Sequence, residues 1–111
     1  MVVWMVTWAV SAGSTPAADW AGFRGPGAGG VSDQTGLALT WSETENLAWK
    51  TPLPGPGSSS PIVFGDRVYV TCYSGYGLDP NEPGDPNDLV RHLVCIRAAD
   101  GKLLWDTAVR A

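Results

Sequence analysis

The chain has 111 residues, enough for one small domain, and contains 14 glycines and 9 prolines. Because glycine and proline break helices and build turns, this composition favours short strands joined by turns. The formal net charge is −4, and the Lys and Arg residues are scattered singly. This argues against nucleic acid as a partner, since neutralising its phosphates needs clustered cations.

Residues 1–18 consist of an apolar run followed by small residues. The run is too short for a membrane-spanning helix, which needs about 20 residues. The pattern is typical of a secretory signal peptide with cleavage near Ala12 or Ala18, although no Lys or Arg precedes Arg24. A buried N-terminal strand is the alternative. We expect an exported protein, periplasmic or secreted, that is not transmembrane.

Residues 19–46 read as an extended, glycine-rich arm. The arm opens with W-A-G-F-R-G-P at positions 20–26, and we expect Trp20 and Phe23 to pack against the rest of the molecule. A phosphate-binding loop is excluded because no G-x-x-x-x-G-K-[ST] pattern is present.

Strand signals begin at residue 47. Runs rich in β-branched and aromatic residues alternate with Gly-Asp and Asp-Gly turns. Trp20, Trp41, Trp49 and Trp105 fall at the edges of predicted strands, where we expect them to pack as core aromatics. The predicted strands are residues 47–53, 59–64, 67–73, 92–97 and 103–107. The last four of these predict an all-β fold built on a four-stranded antiparallel sheet.

A long acidic segment, residues 74–90, separates the second and third strands of this sheet. Long loops on rigid scaffolds concentrate binding functions, so this loop is the best candidate for specificity. The EF-hand calcium pattern counted from Asp79 fails, because Pro83 and Val90 occupy ligand positions. A solvated acidic loop is therefore favoured over a calcium site. The candidate contact residues are Tyr73, Tyr76, Asp79, Asp85 and Arg91.

No catalytic residue can be named from the sequence. His92 is the sole histidine, and no Ser or Cys nucleophile can be tied to it by spacing. The three serines 58–60 lack the G-x-S-x-G frame of a nucleophile elbow. A histidine at a strand edge is more often a hydrogen-bonded structural residue than a base.

The segment Cys95–Trp105, C-I-R-A-A-D-G-K-L-L-W, resembles the tryptophan-docking motif of pyrroloquinoline-quinone-type (PQQ-like) β-propeller repeats, A-x-D-x-x-T-G-K-x-x-W. Gly101, Lys102 and Trp105 match the motif and are the expected blade-docking residues. Arg97 and Asp100 stand where Asp and Thr are usual. The W-x-x-F-R-G-P opening and S-P-I-V-F-G-D-R-V-Y-V are also similar to such repeats.

The resemblance implies about one complete propeller blade, plus the N-terminal arm and the strand at 47–53. Residues 47–111 would form the first PQQ-like repeat, with the acidic loop inserted at 74–90. A blade takes about 40–45 residues and a closed propeller needs at least four, so the chain would be an N-terminal fragment. Its partners would be the remaining blades or copies of itself, and protein or cell-envelope ligands.

The family includes quinoprotein dehydrogenases and the outer-membrane-assembly propeller lipoprotein, so the resemblance leaves three functions open. A non-catalytic binding or assembly scaffold is favoured. A fragment of a PQQ-dependent dehydrogenase is the alternative, in which further blades would supply the PQQ and calcium sites, since none is expected here. A short, self-associating secreted module is the third.

Aligning the central hairpin by the repeat places Cys72 opposite Leu93 and Cys95 opposite Val70. The cysteines would then lie on a diagonal too long for easy bridging, which predicts two buried free thiols. Their spacing matches no zinc pattern.

Overall fold

The computed structural model describes residues 19–111, so the predicted signal peptide at 1–18 lies outside the described residues. Two short 3-10 helices accompany four strands. The helices are Pro26–Ala28 and Pro86–Asp88, and the strands are β1 (Ile62–Phe64), β2 (Arg67–Ser74), β3 (Val90–Arg97) and β4 (Leu103–Arg110). No helix within residues 19–111 is long and apolar enough to cross a membrane.

The strands form one antiparallel sheet in the order β1-β2-β3-β4, which confirms the predicted all-β class and is consistent with one propeller-like blade. Gly65 opens the two-residue turn between β1 and β2 with φ of 60°, a conformation that glycine adopts without strain. The strand predicted over 59–64 was too long at its start. Ser59 lies outside the ladder, and its Oγ donates to the carbonyl of Thr71 and accepts from the N–H of Thr71.

Residues 47–53 do not form the predicted strand. Their backbone pairs with no strand within residues 19–111. Side-chain contacts from Trp49 and Thr51 hold this segment instead. Trp41 is also not a core residue as expected, since 73% of it is exposed.

The two faces of the sheet differ in how far the rest of the chain packs over them. Alternate residues of a strand point to opposite faces, so Val70, Cys72, Val94 and Ile96 share one face. Trp49 packs against this face, and we call it the covered face. The other face carries the side chains of Tyr69, Thr71, Tyr73, Arg91, Leu93, Trp105, Thr107 and Val109, and we call it the open face.

The predicted register of the central hairpin is wrong by one residue. Cys72 lies opposite His92, and Cys95 lies opposite Tyr69. A one-residue shift moves a strand's side chains to the other face, so the two cysteines lie on opposite faces and not on a same-face diagonal. Both are buried free thiols.

The two edges of the sheet differ as well. The arm covers the β1 edge through paired backbone hydrogen bonds between Trp20 and Val63, with N–O distances of 2.7 and 2.8 Å. Asp19 adds a hydrogen bond by accepting from the N–H of Gly65 at 2.7 Å. On the β4 side, no strand within residues 19–111 pairs with the outer edge.

Candidate functional site

The acidic loop occupies residues 75–89, because Ser74 and Val90 belong to the flanking strands. Two of its four carboxylates, those of Asp79 and Asp85, accept hydrogen bonds within local turns. Asp79 accepts the N–H of Asn81 at 2.9 Å, and Asp85 accepts the N–H of Asn87 at 2.8 Å. No group of three potential metal-ligating His, Cys, Asp or Glu side chains occurs in the described chain.

Two of the five predicted contact residues meet at the base of this loop. Tyr73 and Arg91 are direct register partners, so their side chains lie next to each other on the open face. Both line a groove of about 670 Å³. Tyr76, Asp79 and Asp85 do not line it. The structure therefore places the candidate site on the strands at the loop base and not along the loop itself.

The groove combines hydroxyl and apolar side chains around one cation. Its lining within residues 19–111 contains no acidic side chain. A few hundred cubic ångströms is the size range of small-molecule sites. Its lining includes Tyr73, Leu89, Arg91, Leu93, Thr107 and Val109.

A second functional feature is the Asp-Gly turn between β3 and β4. Trp49 packs on this turn, and its indole N–H donates to the carbonyl of Ala98 at 2.8 Å. The hydroxyl of Thr51 donates to the carbonyl of Gly101. Gly101 is buried with φ of 73°, and a Cβ there would lie 2.6 Å from the Trp49 ring. Glycine is therefore required both by conformation and by the close approach of the indole.

Asp100 supplies the acceptor of this turn. Its Oδ1 accepts the N–H of Lys102 at 3.0 Å, and its Oδ2 accepts from Arg97 at 3.2 Å. The Lys102 N–H, aided by the Arg97 charge, lowers the pKa of Asp100 below its ordinary value of 3.8. The carboxylate of Asp100 thus supplies this turn with a side-chain hydrogen-bond acceptor.

The sequence contains a signal for this docking that sequence reasoning missed. Residues 47–51 read L-A-W-K-T and residues 103–107 read L-L-W-D-T. In the first copy, the Trp and Thr contact the turn. In the second, Trp105 is 36% exposed and only tilts against Tyr69, with ring centroids 6.1 Å apart. Of the predicted docking residues, Gly101 and Lys102 belong to the occupied turn, whereas Trp105 carries no turn of its own in the described chain.

Three polar side chains converge on the covered face. His92 Nδ1 lies 3.0 Å from Asp106 Oδ1, and His92 Nε2 lies 2.8 Å from Ser74 Oγ. Because a carboxylate only accepts, Nδ1–H donates to Asp106, while Nε2 shares a hydrogen bond with the Ser74 hydroxyl, which can donate or accept. The chain of hydrogen bonds therefore joins β2, β3 and β4 in one row of side chains.

This order of groups matches a nucleophile, a base and an orienting acid. Yet Ser74 lines none of the cavities described for residues 19–111. The His92 side chain is only 10% exposed. The hydrogen bonds of His92 link β3 to β2 through Ser74 and to β4 through Asp106, and its catalytic or purely structural role stays a prediction.

The structure also explains two residues of the W-A-G-F-R-G-P motif at positions 20–26, Trp20 and Gly25. The Trp20 indole lies against Gly25, where a Cβ would come within 2.5 Å of the ring. Gly25 has φ of 73° and precedes the 3-10 helix that starts at Pro26. Phe23 was expected to pack beside Trp20, but 76% of it is exposed.

Comparison with known proteins yields no match to any family model, curated protein or solved structure.

Proposed function

We propose that this chain is the N-terminal part of an exported PQQ-like β-propeller protein, that residues 47–111 carry its first repeat, and that it acts as a non-catalytic binding or assembly scaffold. The observation that supports this most directly is the docking of Trp49 on the turn at 98–101. This is the kind of contact between a tryptophan and an Asp-Gly turn that the tryptophan-docking motif implies, and here both partners lie within residues 47–111.

Residues 103–107, the second L-x-W-x-T segment, support the same proposal. Trp105 and Thr107 occupy the same positions in their pentapeptide as Trp49 and Thr51, and both are exposed on the open face. A following unit would offer Trp105 a further Asp-Gly turn. A second copy of this chain fits less well, because its own turn is already occupied by Trp49. This favours a longer repeat protein over the self-associating module.

The scaffold is favoured over the dehydrogenase by the chemistry at hand. Within residues 19–111 there is no cluster of metal-ligating side chains. PQQ and calcium enter the proposal only if further blades supply their ligands.

The first test is to sequence the DNA on both sides of this coding segment. We expect the frame to continue into further units with the D-G-K-x-x-W pattern. A frame without such units contradicts the propeller.

The second test separates scaffold from dehydrogenase. The full-length protein is incubated with PQQ and Ca²⁺ and assayed for dye-linked oxidation of alcohols and sugars. The scaffold predicts neither uptake of the quinone nor dye reduction, and saturable uptake with turnover contradicts it.

Export is tested by fusing alkaline phosphatase, which is active only in an oxidising compartment, behind residue 46. Active fusion protein, with a mature N-terminus close to Ala12 or Ala18, is expected. Uncleaved, inactive fusion protein contradicts the signal peptide.

A further inference from the structure

The groove on the open face carries an inference that does not depend on the proposed repeat family. Its walls come entirely from residues 57–109, so it exists in this chain without any further unit. It lies at the loop end of the sheet, in the two cross-strand rows next to the row of Trp105. The first row is Tyr73, Arg91 and Val109, and the second is Thr71, Leu93 and Thr107.

Arg91 is the charged group of this groove. It forms no ion pair within the described chain, whereas Arg67 and Arg97 each lie beside an aspartate. The carboxylate of Asp106, on the neighbouring strand, belongs to the covered face and is engaged by His92. The guanidinium therefore faces an acid-free groove on a protein whose net charge is −4.

The neighbours of Arg91 define what else a ligand would meet. Tyr73 lies directly opposite on β2, and Thr107 lies one row away on β4, so both side chains line the groove beside Arg91. Leu93 is 40% exposed and Val109 is 56% exposed, which leaves apolar surface beside these polar groups. A site that combines a few polar groups with apolar walls selects a ligand with the same division.

We propose that this groove binds a small organic anion, whose carboxylate pairs with the guanidinium of Arg91 while its apolar body lies against Leu93 and Val109. Arginine suits this role because its planar donors match a carboxylate in a bidentate manner. The volume of about 670 Å³ matches a compact small molecule.

The test uses 1-naphthoate as the probe and the full chain as the protein. Binding is measured by isothermal titration calorimetry, and the site is located by amide shifts in two-dimensional NMR. We expect saturable binding, with the largest shifts at Arg91, Thr107 and Val109. Absence of binding, or shifts concentrated on the covered face, overturns the proposal.

Charge is tested with Arg91→Gln and with Arg110→Gln as the matched control, because Arg110 lies on the same sheet but outside the groove. Loss of a charge-assisted pair predicts about tenfold or greater weakening for R91Q, and less than twofold for R110Q. Equal weakening by both variants indicates general charge attraction and overturns the proposal. Circular dichroism confirms that both variants fold.

The uncharged analogue 1-naphthalenemethanol provides a measurement on the unaltered protein. It should bind at least about tenfold more weakly than 1-naphthoate, because it cannot pair with the guanidinium. Equal affinity would mean that the apolar surface alone holds the ring, which overturns the assignment of Arg91.

Discussion

The two L-x-W-x-T segments share a sequence pattern but differ in secondary structure and in the contacts of their Trp and Thr side chains. Residues 47–51 have no strand structure, yet their Trp and Thr are fixed on the turn at 98–101. Residues 103–107 lie in β4, whose pairing with β3 is interrupted by a bulge next to Trp105, and Trp105 and Thr107 are exposed. The difference indicates that contact with the turn at 98–101, and not membership of a strand, holds Trp49 in place.

The sharpest test of this comparison is to truncate both tryptophans. Trp49→Ala removes the indole that covers the apolar face, and we expect the free energy of unfolding to fall by about 3 kcal/mol. Trp105→Ala removes only a tilted aromatic pair and should cost about 1 kcal/mol. Urea denaturation followed by circular dichroism measures both. Equal losses would mean that the two segments are not differently engaged.

The turn can be altered in place of the tryptophan. Gly101→Ala adds a methyl group within 2.6 Å of the Trp49 ring at a φ of 73°. Gly65→Ala meets the same conformational penalty at φ of 60° but nothing within 4 Å. We expect Gly101→Ala to cost about 2 kcal/mol more than Gly65→Ala, because only the former displaces the indole. Indole fluorescence should shift to the red in Gly101→Ala alone.

Substitutions in the hydrogen-bonded set Ser74, His92 and Asp106 should lower stability by less. His92→Ala leaves Ser74 and Asp106 without their partner and should lower stability by about 1–2 kcal/mol. Asp106→Asn keeps an acceptor but removes its charge, so it should cost roughly half as much. Thermal unfolding of both variants measures the order. A larger loss in Asp106→Asn would show that the carboxylate does more than accept a hydrogen bond from His92.

Low pH should slightly reduce the contribution of the Asp100 turn to the stability of the fold. The pKa of Asp100 is lower in the folded state than its ordinary 3.8. Its stabilising contribution is therefore complete above about pH 3.8 and is lost as the pH falls through the folded pKa. An NMR titration of the Asp100 carboxyl should give a midpoint below 3.8, and Asp100→Asn should unfold with less dependence on pH in this range. A midpoint at or above 3.8 contradicts the turn geometry.

The strands of the sheet could be predicted from the sequence because they depend on interactions between residues close together in the chain. The β-branched run over β2 and the Gly-Asp and Asp-Gly turns act between near neighbours, so the strands and their order were predicted. The register was wrong by one residue because a 15-residue loop, 75–89, leaves the strand ends unmarked. Strand pairing there is decided by burial across the sheet, which the sequence alone does not display.

The site was less readable for the same reason. Ser74, His92 and Asp106 come together only in the true register, and Trp49 meets its turn across 49 residues of chain. Tyr73 and Arg91 were identified because they lie at the base of the long loop. The other predicted contact residues, Tyr76, Asp79 and Asp85, do not line the groove, and the two aspartates accept their neighbours' backbone N–H groups.

The unequal edges of the sheet set a limit on aggregation. The arm closes the β1 edge, while the eight residues of β4 expose a free edge in the described chain. An open edge attracts another strand, and here the best match is the identical edge of another molecule. Such a contact is two-fold symmetric and uses up both open edges at once. Pairing through two β4 edges alone would therefore end at a dimer.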